Sequence, residues 1–306
     1  MMRLIFMGTP EFSLPGLTSL INDRLYDIVG VFTQPDKAVG RHQTLTPPPV
    51  KNLALKHNLK IFQPQKIKTE IETIKNLRPD LIVVIAYGKI IPQEILDIPK
   101  YSCINVHASL LPKYRGAACL NAPILNGDLE TGITIMQMEA GLDTGPILRQ
   151  AKIKLTDTEN LENVHDKLSL LGAELLASTL REFIAGEIKP QIQDESRASY
   201  IKILKKEDGR IDWTKSAREI ERMVRAYNPW PGTHTTSDKK IVKIISVDHE
   251  ILKTNNHKSG ESFLNDGRLA IQCGQDALYI LKLQLEGKKI MDSAEFLRGH
   301  KLASFI

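Results

Sequence analysis

RLIFMGTPEFSLPGLTSLINDRLYDIVGVFT, residues 3–33, decides the fold. Residues 3–7 are an apolar run that stops at Gly8, the mark of a short buried strand. Thr9-Pro10-Glu11 then leads into an apolar-periodic segment to Ile21, which predicts a helix, and residues 26–33 read as a second strand. Strand, helix, strand in that order predicts a β-α-β unit and an α/β, doubly wound, Rossmann-like sheet. The first turn invites a dinucleotide reading. It lacks the second and third glycines of that fingerprint, and Pro10 occupies the turn, so NAD binding is rejected.

The elements that follow fit the same frame. Residues 34–51, QPDKAVGRHQTLTPPPVK, form a loop by composition, and three consecutive prolines exclude regular structure from its second half. A loop this long tends to be functional, and it carries Lys37, Arg41, His42 and Lys51 against one acid, Asp36. The bland alternative is a solvated surface loop. Residues 50–57 and 66–77 read as helices and 60–62 as a short strand. Residues 81–86 are continuously apolar, the pattern of a fully buried parallel strand, and Tyr87-Gly88 ends it.

The polar side chains best suited to chemistry lie in residues 102–148. Residues 102–106 read as a strand, and Asn105 and His107, two apart, share a face if the chain stays extended. Residues 132–138 read as another strand, ending in EAGLDTG, which carries Asp143 between Gly141 and Gly145. Asn105 can donate to a carbonyl oxygen gaining charge. An imidazole titrates near neutrality, so His107 can donate to the same oxygen or move a proton. Asp143 can orient the imidazole or take a proton through water. Each feature alone has a structural reading: Asn-x-His is usually a packing detail, and a glycine-flanked Asp is usually a turn residue.

Two strings together carry more. NVHASLLPKYRGA followed by ITIMQMEAGLDTGPIL resembles the formyltransferases that use 10-formyltetrahydrofolate, and FMGTPEF resembles that family's own start. The resemblance implies a catalytic trio at Asn105, His107 and Asp143. It implies that Ser109, Leu110, Leu111 and Pro112 form a folate-contacting loop, and that Ala86, Tyr87 and Gly88 line the pterin pocket. Residues 34–51 are similar to a basic loop inserted in the branch of the family that formylates methionyl-tRNA. That similarity implies tRNA contacts at Lys37, Arg41, His42 and Lys51. His42, Gln43 and Thr44 stand where that branch usually adds Lys or Gly, so this loop is less basic. Cys119 and Leu120 depart from the usual GAAPI, with a proline displaced to Pro123; since proline inside a helix costs about 3 kcal/mol, the helix there starts later or is kinked.

Residues 156–186 read as the longest helix, with Thr156-x-x-Glu159 as a capping box, Gly186 as the stop and His165 as structural. A polar stretch containing Pro190 follows, and the linker is placed at 190–206. Beyond it a helix at 216–226 and strands at 241–247, 269–273 and 277–283 predict a small β-barrel. KEDGRIDW, RAYNPWPG and LQLEGKKIM…EFLRG resemble the OB-like carboxy-terminal domain of the same branch. The expected organisation is a catalytic domain at 1–189, the linker, and a tRNA-binding domain at 207–306. Lys288 and Lys289 are candidate tRNA contacts there; whether Lys239, Lys240, Lys243, Arg298 and Lys301 share a face with them is open.

Composition is consistent with this. The chain has 306 residues, 42% hydrophobic and 25% charged, with a net charge of +5. That is ordinary for a globular protein and mildly basic, compatible with a polyanionic partner. Three widely spread cysteines without C-x-x-C argue against a disulfide framework and a zinc site. No apolar run suits a signal peptide or a membrane span, so a cytoplasmic setting is expected. The expected activity is transfer of a formyl group from 10-formyltetrahydrofolate to the α-amine of methionyl initiator tRNA, by a monomer and without a metal. The alternatives are a small amine acceptor (glycinamide ribonucleotide or an amino sugar nucleotide), a hydrolase releasing formate, and a non-catalytic RNA- or folate-binding protein.

Overall fold

The computed structural model describes residues 1–40, 43–300, 302, 304 and 305. The chain divides into two compact units. The first comprises Met1–Cys119, Thr131–Ile153 and His165–Ile201; the second comprises Leu120–Glu130, Lys154–Val164 and Lys202–Ile306.

The first unit is built on a seven-stranded sheet. Its strands run in the order Ile147–Lys154, Glu130–Gln137, Cys103–His107, Leu81–Ile85, Met2–Gly8, Tyr26–Phe32, Ile61–Phe62. The five strands from Cys103–His107 to Ile61–Phe62 are parallel, and Glu130–Gln137 is antiparallel to Cys103–His107. Leu81–Ile85, in the middle of the sheet, is apolar and buried at every position because both of its faces are covered. Order reverses at Met2–Gly8, whose next strand in sequence lies on one side and Leu81–Ile85 on the other. The carboxyl ends of that pair therefore border a crevice of the kind where α/β sheets bind ligands. From His165 on, the helix Leu161–Ile184 covers the sheet, with Leu168, Leu176 and Leu180 fully buried. Gly172 lets it close on Val106, whose methyl would lie 3.1 Å from an added Cβ.

Several local expectations are corrected. Pro49, the last of the three consecutive prolines, does not interrupt structure. It opens the helix Pro49–Lys56, because a proline in the first turn loses no intrahelical hydrogen bond. The loop itself contains a small hairpin, Lys37–Val39 with Thr44–Thr46. The long helix starts at Leu161, later than 156. Asn160 receives its Asn163 amide at 2.9 Å, while Glu159 reaches back to the Thr156 amide in the turn before it. Ile147–Lys154 is a strand the sequence reading did not mark.

In the second unit a six-stranded antiparallel sheet runs Thr233–Ser237, Lys240–Leu252, Ala277–Leu285, Arg268–Gln272, Ser262–Asn265, with Ile290–Asp292 pairing Ala277–Leu285. Bulges along Lys240–Leu252 bend the long strand. The helix Ala217–Tyr227 is capped by Ser216 and Glu219 and buries Ile220 and Val224 against Val242, Ile244, Leu278 and Ile280. Trp213 joins this core and donates to Thr235 Oγ1 at 2.9 Å. The segment with the displaced proline is the helix Ala122–Asn126, with Pro123 in its first turn: the helix starts later rather than kinking.

Candidate active site

Asn105 and His107 lie on one face at the carboxyl end of Cys103–His107. His107 is 5% exposed. Its Nε2 is 3.0 Å from the Tyr114 carbonyl, which can only accept, so Nε2 carries the hydrogen. Nδ1 is thereby the free nitrogen, and it faces Asp143 Oδ2 at 3.6 Å. That is long for a hydrogen bond and suits an ion pair when the ring is protonated; both ring N–H groups then face acceptors. Among the described residues the Asn105 amide has no hydrogen-bond partner. A donor left unpaired at a strand end is available to a substrate oxygen.

Asp143 sits in a turn at φ +53°. Oδ2 accepts from the Gly116 amide at 2.8 Å, while Oδ1 has no partner among the described residues. Gly116 itself has φ +109°, and a Cβ there would lie 2.4 Å from the Ile201 carbonyl oxygen, so no other residue fits. His107 and Asp143 are thus brought together by one side-chain contact and one main-chain tie.

Residues 109–112 follow the strand. Ser109 and Leu111 are buried, and Leu110 and Pro112 are half-buried. The Ser109 hydroxyl is spent inside the loop, donating to the Lys113 carbonyl at 2.6 Å. Thr134 on the neighbouring strand pins the loop: its hydroxyl donates to the Ser109 carbonyl at 2.7 Å and accepts from the Leu111 amide at 3.1 Å. Gln150 donates to Leu111 O at 2.9 Å and to the Thr134 hydroxyl at 2.8 Å. Of the residues at the crevice, Ala86 and Gly88 are exposed, with φ of +48° and +76°. Tyr87 turns into the core, where burial pushes its phenol up to about 12. Its carbonyl is already taken by Thr9 at 3.0 Å and Gln34 at 3.1 Å.

The basic candidates differ among themselves. Lys51 is held at 2.7 Å by Asp36, which Gln63 also contacts at 2.7 Å. The Gln63 hydrogen bond, followed by Lys51, keeps the Asp36 carboxyl below its ordinary range. Lys37 is exposed, donating to Gln34 at 2.8 Å. Arg41, His42 and Lys301 lie outside the described residues. Lys288 and Lys289 are exposed in a turn whose Glu286 amide bonds the Ile241 carbonyl at 3.1 Å, beside the turn bearing exposed Lys239 and Lys240. No group of three or more His, Cys, Asp or Glu side chains that could hold a metal occurs among the described residues. No helix among them is long and apolar enough to cross a membrane.

Sequence reading passed over Tyr114 and Gly116, which act through main chain, and Thr134, Gln150, Gln193 and Arg115. The one signal was Thr134 itself, a polar residue, fully buried in the structure, set between the apolar Ile133, Ile135 and Met136.

An amide, an imidazole and a carboxylate at the carboxyl edge of a doubly wound sheet define an acyl- or formyl-transfer enzyme. The chain belongs to the formyl transferase family: the Formyl transferase model matches residues 2–180, and the Formyl transferase, C-terminal domain model matches residues 203–301. It is 48% identical to the methionyl-tRNA formyltransferase of Citrifermentans bemidjiense over 98% of this chain and 94% of that one. It is 44% identical to that of Caldanaerobacter subterraneus over 98% of each. Among solved structures, the N-formyltransferase from Helicobacter canadensis, crystallised with folinic acid and dTDP-3-aminofucose, superposes with a TM-score of 0.68 at 18% identity. That match covers 92% of this chain and 99% of that one. HypX from Aquifex aeolicus, solved with tetrahydrofolic acid, gives a TM-score of 0.63 at 18% identity, covering all of this chain and 51% of HypX.

Proposed function

We propose that this enzyme transfers the formyl group of 10-formyltetrahydrofolate to the α-amine of methionyl initiator tRNA, as a cytoplasmic monomer serving translation initiation. The acceptor is supported by relatives at 42–48% identity over nearly the whole chain, each named methionyl-tRNA formyltransferase. The observation that carries the chemistry is His107 Nδ1 facing Asp143, on the same strand as Asn105, whose amide has no hydrogen-bond partner among the described residues.

The folate supplies an activated formyl group. The residues present suit it: exposed main chain at Ala86 and Gly88 edges the crevice, and the pinned loop offers Leu110 and Pro112 as apolar contacts. An α-amine titrates at about 7.7–8.0, so part of it is neutral at pH 7 and ready to attack. Negative charge then develops on the formyl oxygen. Asn105 Nδ2–H and protonated His107 Nδ1–H donate to it, while the Tyr114 carbonyl holds the ring through Nε2. Asp143 Oδ2 keeps its place on the Gly116 amide, leaving Oδ1 to take the amine's surplus proton through a water. Collapse of the tetrahedral adduct breaks the formyl C–N10 bond, and N10 leaves as tetrahydrofolate carrying that proton. Lys37, Arg41, His42, Lys288 and Lys289 are assigned to tRNA phosphate; Lys51, paired with Asp36, steadies the base of the loop.

Salt dependence tests the acceptor. Several phosphate contacts make the apparent affinity for the acceptor fall steeply between about 50 and 200 mM salt. A flat response would contradict a tRNA acceptor and favour a small amine.

A further inference from the structure

Arg115 is completely buried, one residue beyond the carbonyl that fixes His107. A guanidinium stripped of water has to be paired on every side. Glu195 takes it with both oxygens, at 2.9 and 2.6 Å, and the Tyr200 hydroxyl accepts at 2.8 Å. Gln193 completes the set: its Oε1 accepts from Nε at 3.2 Å and from Nη2 at 2.9 Å. Glu195 and Tyr200 stand at the surface, but Gln193 is 5% exposed.

The other end of that amide does something different. With Oε1 committed to Arg115, Nε2 donates to the Asp143 carbonyl at 2.8 Å and to the Gly145 carbonyl at 2.7 Å. The turn it holds needs holding. Asp143 is left-handed at φ +53°, a conformation that L residues adopt at a cost. At Gly145 an added Cβ would meet the Gln137 carbonyl oxygen at 2.0 Å. One side-chain amide therefore joins the loop that orients His107 to the turn that carries Asp143.

We propose that Gln193 is a positioning residue for formyl transfer: anchored on Arg115, it fixes the Asp143 turn so that the carboxylate stays opposite His107 Nδ1. The inference rests on the role given to Asp143 above. Its two hydrogen-bonding ends can be separated experimentally. Q193E keeps the size of the side chain and its pairing with Arg115, but offers the Asp143 and Gly145 carbonyls an acceptor in place of the donor.

The test measures kcat and KM of formyl transfer for wild type, Q193E, D143N and the double variant Q193E/D143N. The expected result is a fall in kcat of tenfold or more in Q193E, with both KM values within twofold. In the D143N background the same change should cost less than twofold, since a residue acting only through Asp143 has nothing left to lose. A role confined to pairing Arg115 would survive in Q193E. Q193E within twofold of wild-type kcat, or a further tenfold loss in the double variant, overturns the inference. If Q193E does not fold, Q193M, of similar volume and without the donor, is held to the same limits. D143N turning over like wild type overturns the role of Asp143 and this inference with it; a slow D143N beside a fast Q193E overturns this inference alone.

Discussion

Replacing Thr134 with valine is the perturbation that reads most directly on the folate loop. The two side chains are nearly isosteric, so packing at this fully buried position is preserved and only the hydroxyl is lost. That hydroxyl serves three partners: the Ser109 carbonyl at 2.7 Å, the Leu111 amide at 3.1 Å and the Gln150 amide at 2.8 Å. Gln150 keeps its bond to the Leu111 carbonyl, so its loss is partial. Ser109 O and Leu111 N are left without a side-chain partner in a water-excluded place. At about 1–3 kcal/mol for each buried group left unsatisfied, the loop is destabilised by about 2–6 kcal/mol if it stays put. It will not stay put, and that is the functional consequence: residues 109–112 drift toward water and the folate contacts loosen. Urea unfolding should show T134V less stable by about 2 kcal/mol or more, and steady-state kinetics should show the KM for 10-formyltetrahydrofolate raised roughly tenfold. T134S, which restores the hydroxyl, should recover the folate KM. A T134V enzyme within about 0.5 kcal/mol of wild type and with an unchanged folate KM would refute the claim that this hydroxyl sets the loop.

Two other outcomes follow from the same geometry. Asn105→Ala removes an oxyanion donor and should lower kcat by about 10²–10³; turnover within threefold of wild type would sink that assignment. In the second unit, burial and then the charges of Lys206, Arg210 and Lys243 depress the pKa of His234, with Glu207 opposing. A folded-state value below the unfolded one means the unfolded chain binds the extra proton. The contribution to stability is therefore full above about pH 6.5 and is lost as pH falls through the folded value. Thermal midpoints at pH 7.5 and pH 5 should diverge less in H234N than in wild type, and an identical pH dependence would contradict this.

The parts of the fold legible in the sequence are those where burial on two faces forces a continuous apolar run. Residues 3–7, 26–33 and 81–86 announce the parallel strands within a residue or so of their ends. Ile147–Lys154 escaped because it lies at the edge of the sheet, and past Leu148 it alternates half-buried and exposed positions over a largely polar sequence. Pro123 could be read as displacing a helix start, yet the three prolines before Lys51 misled, because a proline at the first helical position costs nothing. The resemblance implies folate contacts at Ser109 and Tyr87; that the Ser109 hydroxyl is spent within its own loop and the Tyr87 ring turns into the core is not written in either string. The support for the site was not legible at all. Thr134, Gln150 and Gln193 act through main-chain partners 23 to 50 positions away, and no local pattern marks such contacts.

The central claim is that this site moves a formyl group onto an aminoacylated tRNA, with Asp143 opposite His107 as part of the machinery. The measurement that tests it is formyl transfer from 10-formyltetrahydrofolate to methionyl initiator tRNA, with wild type and D143A assayed side by side. Efficient transfer by wild type and collapse in D143A is the result expected. No transfer by wild type while folate still binds, or equal rates in the two proteins, would contradict it.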